Sequence, residues 1–330
     1  MIGSGSSRHE AHVIEIINPG WLSLIVDRGR YGYGEAGVPP SSGLDAFACT
    51  ACKLLLGQND SAPLLEGMGP GFSFRAGADV TVAVTGAKAL LRVGDKEYRS
   101  WSSFVMRKGD SMTVHTVLEG FRYYVGFSGL IDVPAVMGSF STNLECRFGG
   151  FEGRPLAKGD RLKLRDLRSL QGNTIPHELI PDMTSPHRIH MLDGPEKGDF
   201  TEDSWGNFCN RTNTSCYTVS SKLNRTGIRL EGDPLLFRKG VKESIVSEGV
   251  LPGTVQVPAD GMPIIVLFER TTGGYARAGV VAESDLDRLA HLKPGDQLLF
   301  ERTSIEDAGR LHTAKTEAVS RLLNQVRRLP

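Results

Sequence analysis

The sequence predicts a mainly β protein built as two related barrels in tandem, with a few short helices, and three observations carry that reading. Short runs rich in β-branched and aromatic residues dominate the chain, among them DVTVAVTGA, SMTVHTV, YYVGFSG, RLKL, GTVQV, IIVLF and QLLF, each bounded by Gly, Pro, Asp or Asn. Helical periodicity is scarce. One pattern also recurs: RKGDSMTV (107–114), AKGDRLKL (157–164) and KPGDQLLF (293–300) each set a tight Gly-Asp turn before an alternating strand. Many short strands with few helices point to barrels or sandwiches, not to a doubly wound sheet.

Taken in order, the first helical stretch is LDAFACTACKLLLGQ (44–58), with apolar residues at helical spacing and Gly57 where a C-terminal cap would stand. Between the second and third Gly-Asp repeats lies RDLRSLQGNTIPHELIPDMTSPHR (165–188), which holds three prolines and little apolar periodicity. It reads as a linker over 166–187, separating a barrel domain at 1–165 from a second at 188–302. A short helix is expected at ESDLDRLAHL (283–292). A helical tail over 303–330 is expected too, where Ser304 precedes an acidic first turn and basic residues close the end. The polar start, MIGSGSSRHEAH, reads as a flexible lead-in and not as a secretory signal.

Totals exclude several function classes. The 38 Lys and Arg balance 38 Asp and Glu, so no global field argues for nucleic acid or an anionic membrane. No apolar run approaches a membrane span, and the expected location is cytoplasmic. Five cysteines without dense spacing do not make a disulfide framework; Cys49 and Cys52 form a lone C-x-x-C that reads as part of a helix face. His187 and His190 stand as H-x-x-H without carboxylate or Cys company, so a surface role is expected and no metal site is assigned. The chain has no phosphate-binding P-loop, no dinucleotide fingerprint and no G-x-S-x-G elbow.

Polar chemistry collects in four glycine-rich stretches instead: DRGRYGYGEAGVPPSSGLD (27–45), GSFSTNLECRFGGFEGRPL (138–156), LNRTGIRLEG (223–232), and TTGGY (271–275) with SEGVLPGTVQVPADG (247–261) before it. Hydroxyl, amide and guanidinium donors of this kind suit a carboxylate, a phosphate or a planar amide, since Arg binds such groups bidentately and glycine exposes backbone N–H. Asp45 heads the first helix, where it either caps the helix or serves the site. TTGGY reads as a turn between two buried strands that presents its hydroxyls to a ligand.

DRGRYGYGEAGVPPSSGLD, SGLIDVPAVMGSFSTNL, FGGFEGRPLAKGD, NRTGIRLEG, SEGVLPGTVQVPADGMPIIVL and TTGGYARAGVV, in that order, resemble the motifs of the allophanate hydrolase subunit 2 family, whose members are also called the C-type component of 5-oxoprolinase or the biotin-dependent carboxyltransferase family. The resemblance runs from about Pro19 to Phe300. It implies two cyclophilin-like β-barrels, which agrees with the repeat, and work alongside a B-type subunit and in some assemblies an A-type subunit. The implied function is part of an ATP-dependent amide or lactam hydrolase such as 5-oxoprolinase, with ATP shared with the partner. Alternatives are the carboxyltransferase part of a biotin-dependent urea or amide carboxylase, with biotin delivered by a partner domain, or a regulatory binding protein without turnover. Across these motifs the expected catalytic residues are Asp45, Arg225, Thr272 and Tyr275. Substrate contacts are expected from Arg30, Gly37, Pro39, Ser42, Ser141, Thr142, Glu248, Gln256, Thr271, Gly273 and Gly274. The chain departs from the family pattern at Phe140, Asn143, Arg270 and Ala276, where Arg, Asp, Gln and Pro are usual.

Overall fold

A computed structural model describes residues 12–209 and 216–326; the expected lead-in lies outside them except for His12, which opens the first strand, and so do the last basic residues of the tail. In the first half the chain forms β1 (His12–Asn18), β2 (Leu22–Val26), α1 (Ala46–Leu55), β3 (Leu64–Met68), β4 (Ser73–Ala76), β5 (Val80–Val93), β6 (Lys96–Arg99), β7 (Ser102–Met106), β8 (Ser111–Phe127), β9 (Leu130–Ile131) and β10 (Arg161–Arg165). These strands make one sheet in the order β2–β3–β8–β4–β1–β10–β9, with β5 on β8 and both β6 and β7 on β5. SMTVHTV and YYVGFSG, which read as two strands in sequence, are one continuous β8. β5 and β8 bend together instead of breaking, because Gly86 (φ 88°) and Gly120 (φ 77°) sit in the left-handed region at the bulges of their ladder. A Cβ on Gly86 would lie 2.7 Å from the Arg122 carbonyl oxygen.

The second half forms β11 (His187–Asp193), α2 (Glu202–Cys209), β12 (Tyr217–Leu223), β13 (Gly227–Glu231), β14 (Ser244–Gly249), β15 (Thr254–Val257), β16 (Ile264–Val266), β17 (Thr272–Val281), α3 (Leu286–Leu289), β18 (Gln297–Arg302) and α4 (Ile305–Val326). Its order is β11–β18–β12–β13–β16–β15–β17–β14, and β17 returns to pair with β11. The ring therefore closes, with β14 hanging from β17 outside it. The expected mainly β, two-part build is the one found; the first sheet curls without a closing pair, whereas the second closes.

The three Gly-Asp repeats share one local construction. Asp110, Asp160 and Asp296 each return a carboxylate oxygen to the N–H three residues back, at 2.8, 2.7 and 3.1 Å, while their own N–H bonds the carbonyl there. One helical feature differs from the sequence reading: α2 has no counterpart in it, because eight residues with Trp205 and Phe208 as their buried contacts show little periodicity. The expected helical tail is α4, which runs 22 residues, with Ser304 Oγ accepting the Asp307 N–H at 3.0 Å.

One core fills each sheet, and a third joins them. The first holds Phe74, Val84, Tyr123 and Phe127; the second holds Ile189, Phe208, Tyr217 and Phe300, and it takes in Leu44 from the first half. The third packs Cys49 and Cys52 of α1 against Trp101, Ile175 and Met183 of the connecting segment, and Leu322 of α4. Burial holds both thiols well above their usual range, Cys52 up to about 12, as befits packing residues. His187, expected at the surface, is buried and bonds Asp296 at 3.3 Å; its partner of the H-x-x-H, His190, bonds Asp285 at 2.8 Å.

Candidate functional site at the junction of the two sheets

Segment 27–45 leaves β2 and returns at α1, and Asp27 organises it. Its carboxylate accepts from Gly29 N (2.8 Å), Ser139 Oγ (2.6 Å), Ser141 Oγ (2.7 Å) and Phe140 N (2.7 Å), which locks GSFST onto the loop. Arg30 follows, fully buried, donating to the Ser141 carbonyl and lying 4.8 Å over the Phe148 ring. Burial lowers its pKa, against the pull of Asp27 and Glu269. A Cβ on Gly149 (φ 69°) would come within 2.2 Å of that same carbonyl, so only glycine permits the approach.

Beside this loop the two sheets meet around four buried charges: Glu66 on β3, Arg122 on β8, Arg225 between β12 and β13, and Glu269 before β17. Arg225 donates to Glu66, to Glu269 (3.2 Å) and to the Ser42 carbonyl (2.5 Å); Arg122 Nε stands 3.7 Å from Glu66. Tyr124 donates to Glu66 (3.1 Å) and accepts the Asp45 N–H (2.8 Å). Ser41 donates to Glu269 (2.8 Å), accepts from Asn143 Nδ2 (3.0 Å), and is held at φ 53°, a conformation that costs a non-glycine residue roughly 1–3 kcal/mol. The carboxyls diverge. Burial raises Glu66, but Arg225 and Arg122 outweigh it and its pKa falls below the usual range. At Glu269 burial prevails over Arg225 and Ser41, and its pKa is raised.

A cleft of about 450 Å³ opens beside this cluster, reaching it through Phe268 and through Ser42, whose carbonyl accepts from Arg225; the four charges themselves do not line it. Arg28, Tyr31, Ser42 and Lys53 line it from the first half, and Phe268 and Asp287 from the second, with Lys315 reaching in from α4. Arg28 and Tyr31 are exposed at the mouth; Lys53 is buried and donates to the Asp60 carbonyl. At the start of α1, Asp45 accepts from Ala48 N (2.8 Å) as the N-cap and from His291 Nε2 (2.8 Å) across the junction. Asp287 accepts from Ala46 N (3.0 Å).

The residues expected from the sequence fall into two groups. Asp45, Ser42 and Arg225 meet at the junction; Arg30, Ser141 and Thr142 stand behind them, with Thr142 Oγ1 on the Ile25 carbonyl at 3.0 Å. Pro39 is buried, and Gly37 is exposed at the end of a 3-10 turn with φ 75°. The rest lie on the β14–β17–β15 wall. TTGGY is not a turn: Thr272 opens β17, Gly273 pairs with Glu248 and Tyr275 with Ser244. The reversal is made by the preceding residues 267–271. Thr272 and Tyr275 are exposed and their hydroxyls form no hydrogen bond among the described residues, while the Glu248 carboxylate pairs with Arg277 at 2.9 Å. A Cβ on Gly273 would lie 2.1 Å from Gln256 Nε2, a buried amide nitrogen without a partner among the described residues. Sequence reasoning does not single out Glu66, Ser41, Tyr124, His291, Asp287 or Lys315 for the site. Only Ser41 has a signal, in the GVPPSSG motif; the others stand in ordinary strand and helix sequence. Phe140 packs on the first core and Arg270 is exposed.

Residues 36–302 match the family described as carboxyltransferase domain, subdomain A and B. The chain belongs to this carboxyltransferase-domain family. It is 34% identical to the C-type component of 5-oxoprolinase from Escherichia coli over 90% of this chain and 93% of that one. It is 30% identical to urea amidolyase of Saccharomyces cerevisiae over 96% of this chain, but spans only 18% of that protein. The crystal structure of Kluyveromyces lactis urea carboxylase superposes with a TM-score of 0.87 at 26% identity, covering 96% of this chain and 30% of that one. In this carboxyltransferase-domain chain the matched span runs from the GVPPSSGLD loop through β18, so it holds Ser41, Glu66, Arg225 and Glu269 and stops short of α4.

Proposed function

We propose that the chain is the C-type component of an ATP-dependent amide or lactam hydrolase such as 5-oxoprolinase, acting with a B-type partner subunit and an A-type subunit. The observation that supports this most is the near end-to-end relation to the C-type component of Escherichia coli 5-oxoprolinase. The cleft is walled by both halves of the chain, and Arg28, exposed at its mouth, is the cation suited to the carboxylate of a small planar amide, whereas Lys53 and Lys315 are paired with Asp60 and with Asp287 and Glu283. Glu269 and Glu66, pushed apart in proton affinity around one guanidinium, form the kind of pair that divides proton-holding from charge-holding. In this reading Glu269, whose proton affinity burial raises, is the carboxyl that exchanges a proton beside Ser41, while Glu66 stays ionised and anchors Arg225. Thr272 and Tyr275, exposed on β17, offer their hydroxyls where a partner subunit would complete the site. ATP is shared with that partner, since this sequence carries no P-loop motif.

A second reading is favoured by the likeness to urea carboxylase over 96% of this chain: a carboxyltransferase component whose biotin arrives on a partner domain. Co-expression with candidate A-type and B-type subunits tests both. The isolated chain is expected to be inert and the complex to hydrolyse ATP in response to 5-oxoproline. Turnover by the isolated chain would refute partner dependence. Urea-dependent carboxyl transfer from a biotinylated domain would select the second reading, and a stable complex without any turnover would leave a binding protein.

A further inference from the structure

We infer that Lys315, carried on α4 beyond the matched family span, is a positioning residue of the cleft, holding the Asp287 carboxylate on the first turn of α1 and thereby the Ser42–Asp45 wall. The inference rests on the cleft being the working site. Lys315 Nζ lies 3.0 Å from Asp287 Oδ2, 3.3 Å from Glu283 Oε1 and 3.2 Å from the Glu283 carbonyl, with its side chain 18% exposed. Asp287 in turn accepts from Ala46 N at 3.0 Å and, more loosely, from Phe47 N at 3.4 Å. A residue of the second half thus caps a helix of the first half, and α4 closes the chain of contacts.

The location makes this more than a surface ion pair. Asp287 and Lys315 line the 450 Å³ cleft and also a separate cavity of about 370 Å³ beneath α4, so the pair is the partition between them. The start of α1 attracts anions, and two carboxylates crowd there, Asp45 and Asp287. Asp45 has His291; Asp287 has Lys315. The other ionisable groups around the pair are Glu283, with His312 on it, Asp285 and Arg288; Glu178, Asp182, His187 and Arg321 in the cavity beneath α4; and Asp27, Arg28, Lys53 and Asp60 in the cleft. Burial and then Asp45 push Asp287 up to about 6, with Lys315 pulling the other way. Without that ammonium the carboxyl takes a proton more readily and loses hold on the α1 amides, and the loop through Ser42 and Leu44 loses its anchor.

The test compares Lys315→Met and Lys315→Arg with the parent chain. In the isolated chain, carbon-13 NMR of the Asp287 carboxyl is expected to show its midpoint rising by about one pH unit or more in Lys315→Met and returning in Lys315→Arg, which restores the positive charge. Hydrogen exchange at Ala46 and Phe47 is expected to quicken by about tenfold in the Met variant with the melting temperature nearly unchanged. In the assembled complex the acid limb of kcat/KM should rise with the Asp287 midpoint. An unmoved midpoint or unmoved α1 exchange overturns the inference. A shifted midpoint with an unchanged pH profile also overturns it while leaving the enzyme reading intact. If the parent complex turns over none of its substrates, the proposed function falls instead, and the exchange data alone decide the role of Lys315.

Discussion

Glu66 and Glu269 share the Arg225 guanidinium, yet the protein drives their proton affinities in opposite directions. Arg225→Met would strand two buried carboxylates, and breaking such a cluster costs about 3–5 kcal/mol; urea denaturation should report a loss of that order. Glu269→Gln keeps one acceptor oxygen, for Arg225, turns an amide N–H towards the Ser41 hydroxyl, which can rotate to accept it, and removes the proton switch, so it should cost less than about 2 kcal/mol while abolishing turnover of the complex. Thr272→Val and Tyr275→Phe belong to the same scale. Both hydroxyls are exposed and form no hydrogen bond among the described residues, so thermal stability should not move, and if either donates to a developing oxyanion the complex should slow by about 10²–10³-fold. Full activity in both variants would remove this strand from the site. Arg225 and Ser42 were legible as candidates because their motifs are dense in donors, and the fold brings the two together. Glu269 was not, because a single acid beside an exposed arginine looks like surface until the Ser41 loop is folded over it.

Helix α1 shows at the element scale how the halves depend on each other. Its N-cap, Asp45, was legible from its place before an apolar helical run, but the use of its second oxygen by His291 was not. Asp45→Ala should cost more than the ~1 kcal/mol typical of a lost cap, since it also strands a buried imidazole; Asp45→Asn should restore the cap but not the acceptor for His291 Nε2, and so recover only the cap's share. The connecting segment behaves contrary to its proline-rich look. Ile175 and Met183 are buried in the third core, and Ser103 N donates to the Asn173 carbonyl at 2.7 Å. Limited proteolysis should therefore spare 173–183 until the core itself opens, which mass mapping of early fragments would show. In sequence that stretch looks like a tether because three prolines break periodicity, whereas two buried side chains suffice to strap it down.

Across the whole molecule, opposed carboxylate shifts set the response to acid. Glu66, Glu196 and Asp296 have lowered pKa values in the folded chain, so each binds protons less readily folded than unfolded. Their stabilisation is present above the unfolded carboxylate range and is lost as pH falls through their folded values. Asp287, raised to about 6, has the opposite sign: it favours the folded state as pH falls from above 6 towards the unfolded value near ~4, and costs stability at neutral pH. The urea midpoint followed from pH 8 to 3 should thus dip only below about pH 4. Asp287→Asn should remove the compensating gain between about pH 6 and 4. A midpoint already falling at pH 6 in the parent chain would contradict this assignment.

By itself the sequence determined the mainly β build, the three Gly-Asp turns, the helix starts at Asp45 and Ser304, and the family, because turn chemistry, side-chain alternation and ordered motifs are local properties of the chain. Tertiary structure alone decided that SMTVHTV and YYVGFSG are one bent strand, that TTGGY is the opening of β17 and not a turn, and that the second ring closes through β11 and β17. It alone brought Glu66, Ser41, Arg225 and Glu269, scattered over more than two hundred residues, onto one guanidinium and one hydroxyl. The reason is physical. A hydrogen-bonded turn is specified by neighbours in sequence, whereas the proton affinity of a buried carboxyl depends on what distant segments remove it from water and which charge they set beside it.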